Sequence, residues 1–290
     1  MLIADQLAAN GQSVLGADYI RKVWTKPGFE LATDAWVVTE GADNIVAYGQ
    51  VTRDVPDIVE SWGVVDPEYR ARGIGSVLFE RIEMRASELL AGIPSSRFRH
   101  AIDARDLAAA GMLRARGLQP VRHFWHMQMD LTSPFEPVPP PKGIEISRIE
   151  PRDLLAVHTV LQDGFADDWG HHPQPFDQWA GEQARNPRYD PTLWLLARSG
   201  RKPVGALTAS AAADGGWVDE LAVLPQHRRC GIGTTLLGRA FATLAGRGLQ
   251  RALLNVDAAN PAGATELYER VGMRVVDRWD LWGRSLRRSA

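Results

Sequence analysis

Apolar residues in this chain form short runs bounded by glycine, proline or charged clusters, with helically spaced stretches between them. Trp194-Leu195-Leu196-Ala197 and Val204-Gly205-Ala206-Leu207-Thr208 flank Ser199-Gly200-Arg201-Lys202-Pro203, a turn by composition, and predict two adjacent strands. Further strands are predicted over 217–223, over 252–256, and in the apolar stretch from Met273 to Leu281. Leu236, Ala240, Phe241 and Leu244 recur at helical spacing, as Leu78, Ile82, Ala86 and Leu89 do earlier. Asn260 followed by Pro261 predicts a helix start, and Gly272 its end. A strand over 144–149 and a helix from Asp153 to Leu161 precede this set. The pattern predicts an α/β fold: a mixed sheet with helices on its faces.

The pattern occurs twice. Val65-Asp66-Pro67-Glu68-Tyr69-Arg70-Ala71-Arg72-Gly73-Ile74-Gly75 recurs as Val223-Leu224-Pro225-Gln226-His227-Arg228-Arg229-Cys230-Gly231-Ile232-Gly233. Ala35-Trp36-Val37-Val38 matches Leu193-Trp194-Leu195-Leu196, Gly49 matches Gly205, and Arg116-Gly117-Leu118 matches Val271-Gly272-Met273. Four matches in the same order indicate a duplication. Between the copies, residues 133–142 carry closely spaced prolines, which favour an extended linker. The expected organisation is a domain over 1–131, a linker over 132–142 and a second domain over 143–290. The first copy has no counterpart of the strand at 144–149, so the chain is expected to open inside its first helix.

Composition narrows the classes. The 290 residues suit two domains, and 45% hydrophobic with 23% charged residues is ordinary for a globular protein. A net charge of −2 with dispersed Lys and Arg gives no footprint for nucleic acid. No apolar run reaches the roughly 18–20 residues of a membrane span, and the first residues lack a signal-peptide pattern. Cys230 is the sole cysteine, which excludes an intrachain disulfide and a cysteine-based zinc site. A cytosolic enzyme or binding protein fits, as a monomer or a homodimer.

The chemistry centres on Arg228-Arg229-Cys230-Gly231-Ile232-Gly233, between a predicted strand and a predicted helix. Its glycines permit close backbone approach, and successive N–H groups opening a helix suit a pyrophosphate. Leu236 stands where a dinucleotide fingerprint needs a third small residue, and no Gly-Lys-Ser/Thr follows as in a Walker loop. Farther on come Asp257-Ala258-Ala259-Asn260-Pro261-Ala262-Gly263-Ala264 and Leu267-Tyr268-Glu269-Arg270-Val271-Gly272-Met273.

This constellation resembles the GNAT acetyltransferase superfamily over nearly the whole chain, in its tandem, mycothiol synthase-like form. The resemblance implies two tandem acyl-CoA N-acyltransferase folds, the first without its opening strand, and acetyl-CoA as cofactor. It implies that the loop of Arg228, Arg229, Cys230, Gly231, Ile232, Gly233 and Thr234 holds the CoA pyrophosphate through backbone amides. The backbone of Leu221, Ala222 and Val223 would pair with the pantetheine arm, and Asn260 would hydrogen-bond the cofactor. Tyr268 would protonate the departing thiolate, as a phenol within reach can.

A base is also expected. The family often places a carboxylate nearer the start of this strand, where Trp217 stands here, which leaves Asp219 and Glu220, with Glu220 preferred, acting directly or through water. Strand alternation predicts that one of the two faces the site and the other faces away, unless a bulge intervenes. In the first copy Val65, Arg70, Ala71, Arg72, Gly73, Ile74, Gly75 and Ser76 retain a possible second CoA site, but Leu113 matches Tyr268 and Arg105 matches Asn260. That copy is expected to be non-catalytic. Cys230 is read as a bystander in its loop.

Trp169, His171, His172, Phe176, Trp179 and Tyr189 form an aromatic-rich stretch that either walls an acceptor site or packs a helix onto the sheet. Asp167, Asp168, His171 and His172 are read as a solvated cluster, with no metal expected. No hydrolase motif is present. The expected activity is acetyl transfer to a primary amine, of a small molecule first and of a peptide second, against the alternative of a CoA-binding sensor without turnover.

Overall fold

The computed structural model describes residues 17–41, 44–132 and 138–286. They form two compact units, residues 1–124 with 278–290, and residues 125–277. Both units combine a mixed sheet with helices, as the periodicities predict.

The first unit contains α1 (Ala17–Trp24), α2 (Leu31–Asp34), β1 (Ala35–Glu40), β2 (Asn44–Val55), β3 (Ile58–Val65), α3 (Ile74–Leu89), β4 (Ser96–Asp103) and α4 (Leu107–Ala115). β5 (Gln119–Asp130) and β11 (Arg274–Leu286) are divided between the units, the first taking 119–124 and 278–286. Its strands run β1-β2-β3-β4-β11-β5. β1, β2 and β3 are antiparallel, β3 and β4 are parallel, and β11 pairs antiparallel with β4 from Trp279↔Asp103 to Leu286↔Ser96. The helical period places Leu78, Ile82 and Ala86 of α3 in the core with Phe79, Phe98 and Leu113, and Trp282 of β11 joins them.

The second unit contains β6 (Ile144–Arg148), α5 (Leu154–Gly164), α6 (Phe176–Arg185), β7 (Leu195–Ser199), β8 (Lys202–Ala212), β9 (Gly215–Val223), α7 (Ile232–Gly246), β10 (Arg251–Asp257) and α8 (Ala264–Arg270). Its order is β6-β7-β8-β9-β10, then residues 125–130 of β5 and 274–277 of β11. Leu236, Ala240, Phe241 and Leu244 of α7 are buried against Leu196 and Leu207, as their spacing predicts. α5 approaches the sheet closely: a Cβ on Gly164 would lie 2.7 Å from that of Ala222.

The boundaries differ from those expected. Residues 125–131 pack with the second unit, where Met127 joins the core and the Leu131 amide donates to the Gln250 carbonyl (2.8 Å). Residues 278–286 complete the first unit, which needs a strand beside β4 that its own copy of the repeat does not supply. The apolar stretch after Met273 is one long strand, β11. Of the proline-rich stretch, 133–137 lie outside the described residues, as do 1–16, on which the expected start inside the first helix falls.

Candidate active site

The ladder between β9 and β10 covers two positions, Gly216↔Ala252 and Trp217↔Leu253. On its other side β9 stays paired with β8 as far as Gly205↔Val223. The two parallel strands therefore part after Trp217, and the edge of β9 that carries Leu221, Ala222 and Val223 borders the opening. A strand edge next to such a split can pair with the amides of an extended ligand.

Pairing of β8 with β9 shifts between Thr208↔Glu220 and Ala209↔Val218, which makes Asp219 the extra residue of a β-bulge. Ser210 Oγ donates to Asp219 Oδ1 (3.1 Å) and Thr208 Oγ1 donates to Glu220 Oε2 (3.3 Å). Thr208 and Ser210 lie two apart on one strand and share a face. Both carboxylates are thus turned to one face of the sheet. Simple alternation would have separated them.

The glycine loop follows β9. Gly231 precedes α7 in the left-handed region (φ 84°), where a side chain is strained, and Arg229 also has a positive φ of 61°. A non-glycine residue in that region costs on the order of 1–3 kcal/mol and persists where function over-determines the backbone. The side chain of Arg228 braces the loop. Its Nε donates to the Val223 carbonyl (3.0 Å) and its Nη2 to the Gly164 carbonyl (2.8 Å), at the C-terminus of α5, where a cation is favourable. Cys230 is exposed, with Sγ 3.3 Å from the Arg228 carbonyl oxygen.

Asn260 does not cap α8, contrary to the sequence reading. Its Oδ1 accepts from the Ala262 amide (2.9 Å) in a turn, and Gly263, left-handed at φ 73°, is the N-cap instead. Its Nδ2 donates to Asp168 Oδ2 (3.1 Å). At the other end of α8 the Gly272 amide donates to the Glu269 carbonyl and the Met273 amide to the Tyr268 carbonyl (both 3.0 Å), which fixes the last turn that bears Tyr268.

Tyr268 is buried, and burial, followed by the charge of Asp168, pushes its hydroxyl well above the usual phenol range. Burial also raises the Asp168 carboxyl, with Asp257 adding to it and Arg228 and Asn260 opposing. Burial lowers His171, which Asp168 counters. Asp168 thus joins the site; as one residue of a polar loop it carried no motif. Of the aromatic stretch, Trp179 is buried between His158 (5.4 Å) and Trp194 (5.8 Å), Phe176 packs beside it, and Tyr189 meets Trp194 edge-on (5.2 Å). Those three are core aromatics. Among the described residues no group of three or more His, Cys, Asp or Glu side chains is arranged to hold a metal ion, and no helix is long and apolar enough to cross a membrane.

Comparison with known proteins agrees with this geometry. The acetyltransferase (GNAT) family pattern matches residues 154–273. A mycothiol acetyltransferase from Cellulomonas flavigena is 32% identical over 257 residues, covering 82% of this chain and 71% of that protein. A second, from Thermobispora bispora, is 33% identical and covers 74% of this chain and 72% of its own. The chain belongs to the GNAT acetyltransferase family. The crystal structure of a GCN5-related N-acetyltransferase from Sphaerobacter thermophilus has a TM-score of 0.83 at 28% identity, covering all of this chain and 92% of that one. A tandem GNAT protein from the clavulanic acid biosynthesis pathway shares the fold at 16% identity, with a TM-score of 0.73, covering 99% of this chain and 94% of its own. This protein is accordingly an N-acetyltransferase of tandem GNAT architecture, from a family that uses acetyl-CoA.

Within this acetyltransferase the first unit repeats the loop but parts its parallel strands later, after Trp62. Ala71 (φ 59°) and Gly73 (φ 82°) reproduce the backbone of Arg229 and Gly231. The parallel ladder of β3 and β4, however, runs five positions, from Ile58↔Arg97 to Trp62↔Ala101. At the Ser61↔His100 rung Ser61 Oγ lies 2.7 Å from His100 Nδ1 and donates to the Arg99 carbonyl (2.9 Å). Leu113, matched to Tyr268, is wholly buried.

Proposed function

We propose that residues 125–277 carry the acetyl transfer, from acetyl-CoA to a primary amine of a small molecule, and that the first unit is non-catalytic. The observation that carries this reading is the parting of β9 and β10 after Trp217, followed by the strained glycine loop, in the unit whose core holds Tyr268.

The residues present fit the cofactor. Backbone amides over 229–233, with Ile232, Gly233 and Thr234 opening α7, suit the pyrophosphate, with Arg228 holding the loop and Cys230 within it. The edge of Leu221, Ala222 and Val223 suits the pantetheine arm, and Asn260 a further hydrogen bond. Bound acetyl-CoA supplies a thioester whose C–S bond breaks as the new C–N bond forms. Tyr268, kept protonated by its burial, donates its hydroxyl proton to the departing sulfur and regains one from solvent. Glu220 or Asp219, both on one face through the bulge, accepts the proton that the amine loses, directly or through water. The mycothiol acetyltransferases to which the chain is similar support a small-molecule acceptor. The longer ladder and Leu113 support a non-catalytic first unit.

Calorimetric titration of wild type and Gly231→Trp with acetyl-CoA, followed by assay of CoA release with a panel of primary amines, tests the reading. Saturable binding that the variant loses, and release with at least one amine, is the expected result. Absence of binding at millimolar acetyl-CoA would refute it.

A further inference from the structure

The face of the second unit turned away from α7 carries a group of side chains that the transfer step does not use. A Cβ on Gly216 would point at Leu244 of α7, so Trp217, the next residue, points to the opposite face. Trp217 sits at the last rung before the strands part. Its ring lies 5.3 Å from that of His126, and the guanidinium of Arg188 lies over it at 5.7 Å from the ring centre. Its Nε1 donates to Asp214 Oδ1 (3.0 Å), while Ser210, its ladder partner, donates to Asp219. His126 Nδ1 is 3.0 Å from Oδ1 of Asn255, which is exposed although β10 lies between β9 and β5. An exposed polar side chain on an interior strand marks a stretch of sheet face left open to solvent.

At the closed end of the split the Trp217 ring therefore has a guanidinium over it, and its ladder partner Ser210 holds the exposed carboxylate of Asp219. Among the described residues no carboxylate pairs with Arg188. A guanidinium lying over an indole ring is attracted to its face and keeps N–H donors that can grip a planar anion with two hydrogen bonds. One guanidinium together with the carboxylate of Asp219 suits a zwitterion, an anionic carboxylate carried with an amine, rather than a phosphate dianion.

We propose that Arg188, over the ring of Trp217, selects acceptors whose amine is accompanied by a carboxylate, as in an amino acid, with the amine directed to Asp219 and Glu220. This specificity rests on acetyl transfer at the β9–β10 split as described above.

The test compares kcat/KM for a panel of amino acids and their carboxamides, in wild type and in Arg188→Gln and Arg188→Lys. The free acids are expected to be preferred by about 10- to 100-fold, the worth of one charge-assisted pair. Arg188→Gln is expected to erase that preference by raising KM for the acids while kcat/KM for the carboxamides stays within about twofold. Arg188→Lys, which keeps the charge, restores part of it. Titration of an amino acid into the protein saturated with CoA should show binding that Arg188→Gln lacks. Carboxamides accepted as well as acids, or a variant that weakens both alike, would overturn the specificity and leave acetyl transfer standing. No CoA release with any amine would remove the transfer itself and this inference with it.

Discussion

The two units share a loop and differ in a seam. Both repeats turn from a strand into a helix through a left-handed non-glycine residue and a left-handed glycine, Arg229 and Gly231 in one, Ala71 and Gly73 in the other. Both close the following short helix with the same pair of capping hydrogen bonds, from Met273 to Tyr268 and from Leu118 to Leu113. The parallel strands behave in opposite ways. β3 and β4 stay together for five positions, joined by the buried Ser61–His100 contact, whereas β9 and β10 separate after two and a bulge at Asp219 lies beyond the break. A shared loop backbone thus does not make the two copies equivalent. The state of the seam, and the side chain placed on the short helix, distinguish them.

The sharpest way to break this comparison is to remove the acid from one unit and the loop from the other. Tyr268→Phe is expected to lower kcat by about 10²- to 10³-fold, in line with the loss of a positioned proton donor. Gly73→Trp in the first unit should leave turnover in place. Steady-state CoA release from the two variants checks this, and the reverse pattern would move the chemistry to the first unit.

A smaller effect probes the longer seam. Burial pushes the imidazole of His100 down to about 3. Its folded value lies below its unfolded one, so the stability it confers is present above the unfolded pKa and is lost as pH falls from about 6.5 towards 3. By pH 5 the loss is about 2 kcal/mol, and His100→Asn should flatten the acid limb of melting temperature against pH. An unchanged limb would mean that the seam is not what acid opens.

The smallest effect sharpens the open site. Asp168 faces Asn260, Tyr268, Arg228, Asp257 and His171, and its charge adds to the burial that raises the Tyr268 hydroxyl. Asp168→Asn removes that charge and still accepts from Asn260. Tyr268 should then ionise at lower pH, so the alkaline limb of the kcat profile moves down in pH. A limb that stays in place would show that Asp168 acts only on Asn260.

Much of this was legible along the chain. The strands at 204–208, 217–223 and 252–256, the helices that carry Leu78 and Leu236, and the turn at Gly272 follow from local period and punctuation, and the structure contains each. Other features were not, for identifiable reasons. The cap attributed to Asn260 went to Gly263, because an Asn side chain can close a turn on Ala262 as readily as it can cap a helix. The contact of Asp168 with Asn260 spans 92 positions, and nothing in either neighbourhood signals the other.

By itself the sequence determined the duplication, the α/β character, the glycine loops and the leucine, Leu113, at the position matching Tyr268. These depend on residue type and on spacing over one helix or one turn, where sterics and hydrogen bonding act locally. Only the tertiary structure decided that residues 278–286 complete the first unit, that both carboxylates of β9 share a face, and that one parallel seam parts after two positions and the other after five. Strand partners and registers are chosen among segments far apart in the chain, by which pairing buries the apolar faces and satisfies the backbone together. A bulge is one residue out of step between two such strands, and it exists only once they have met.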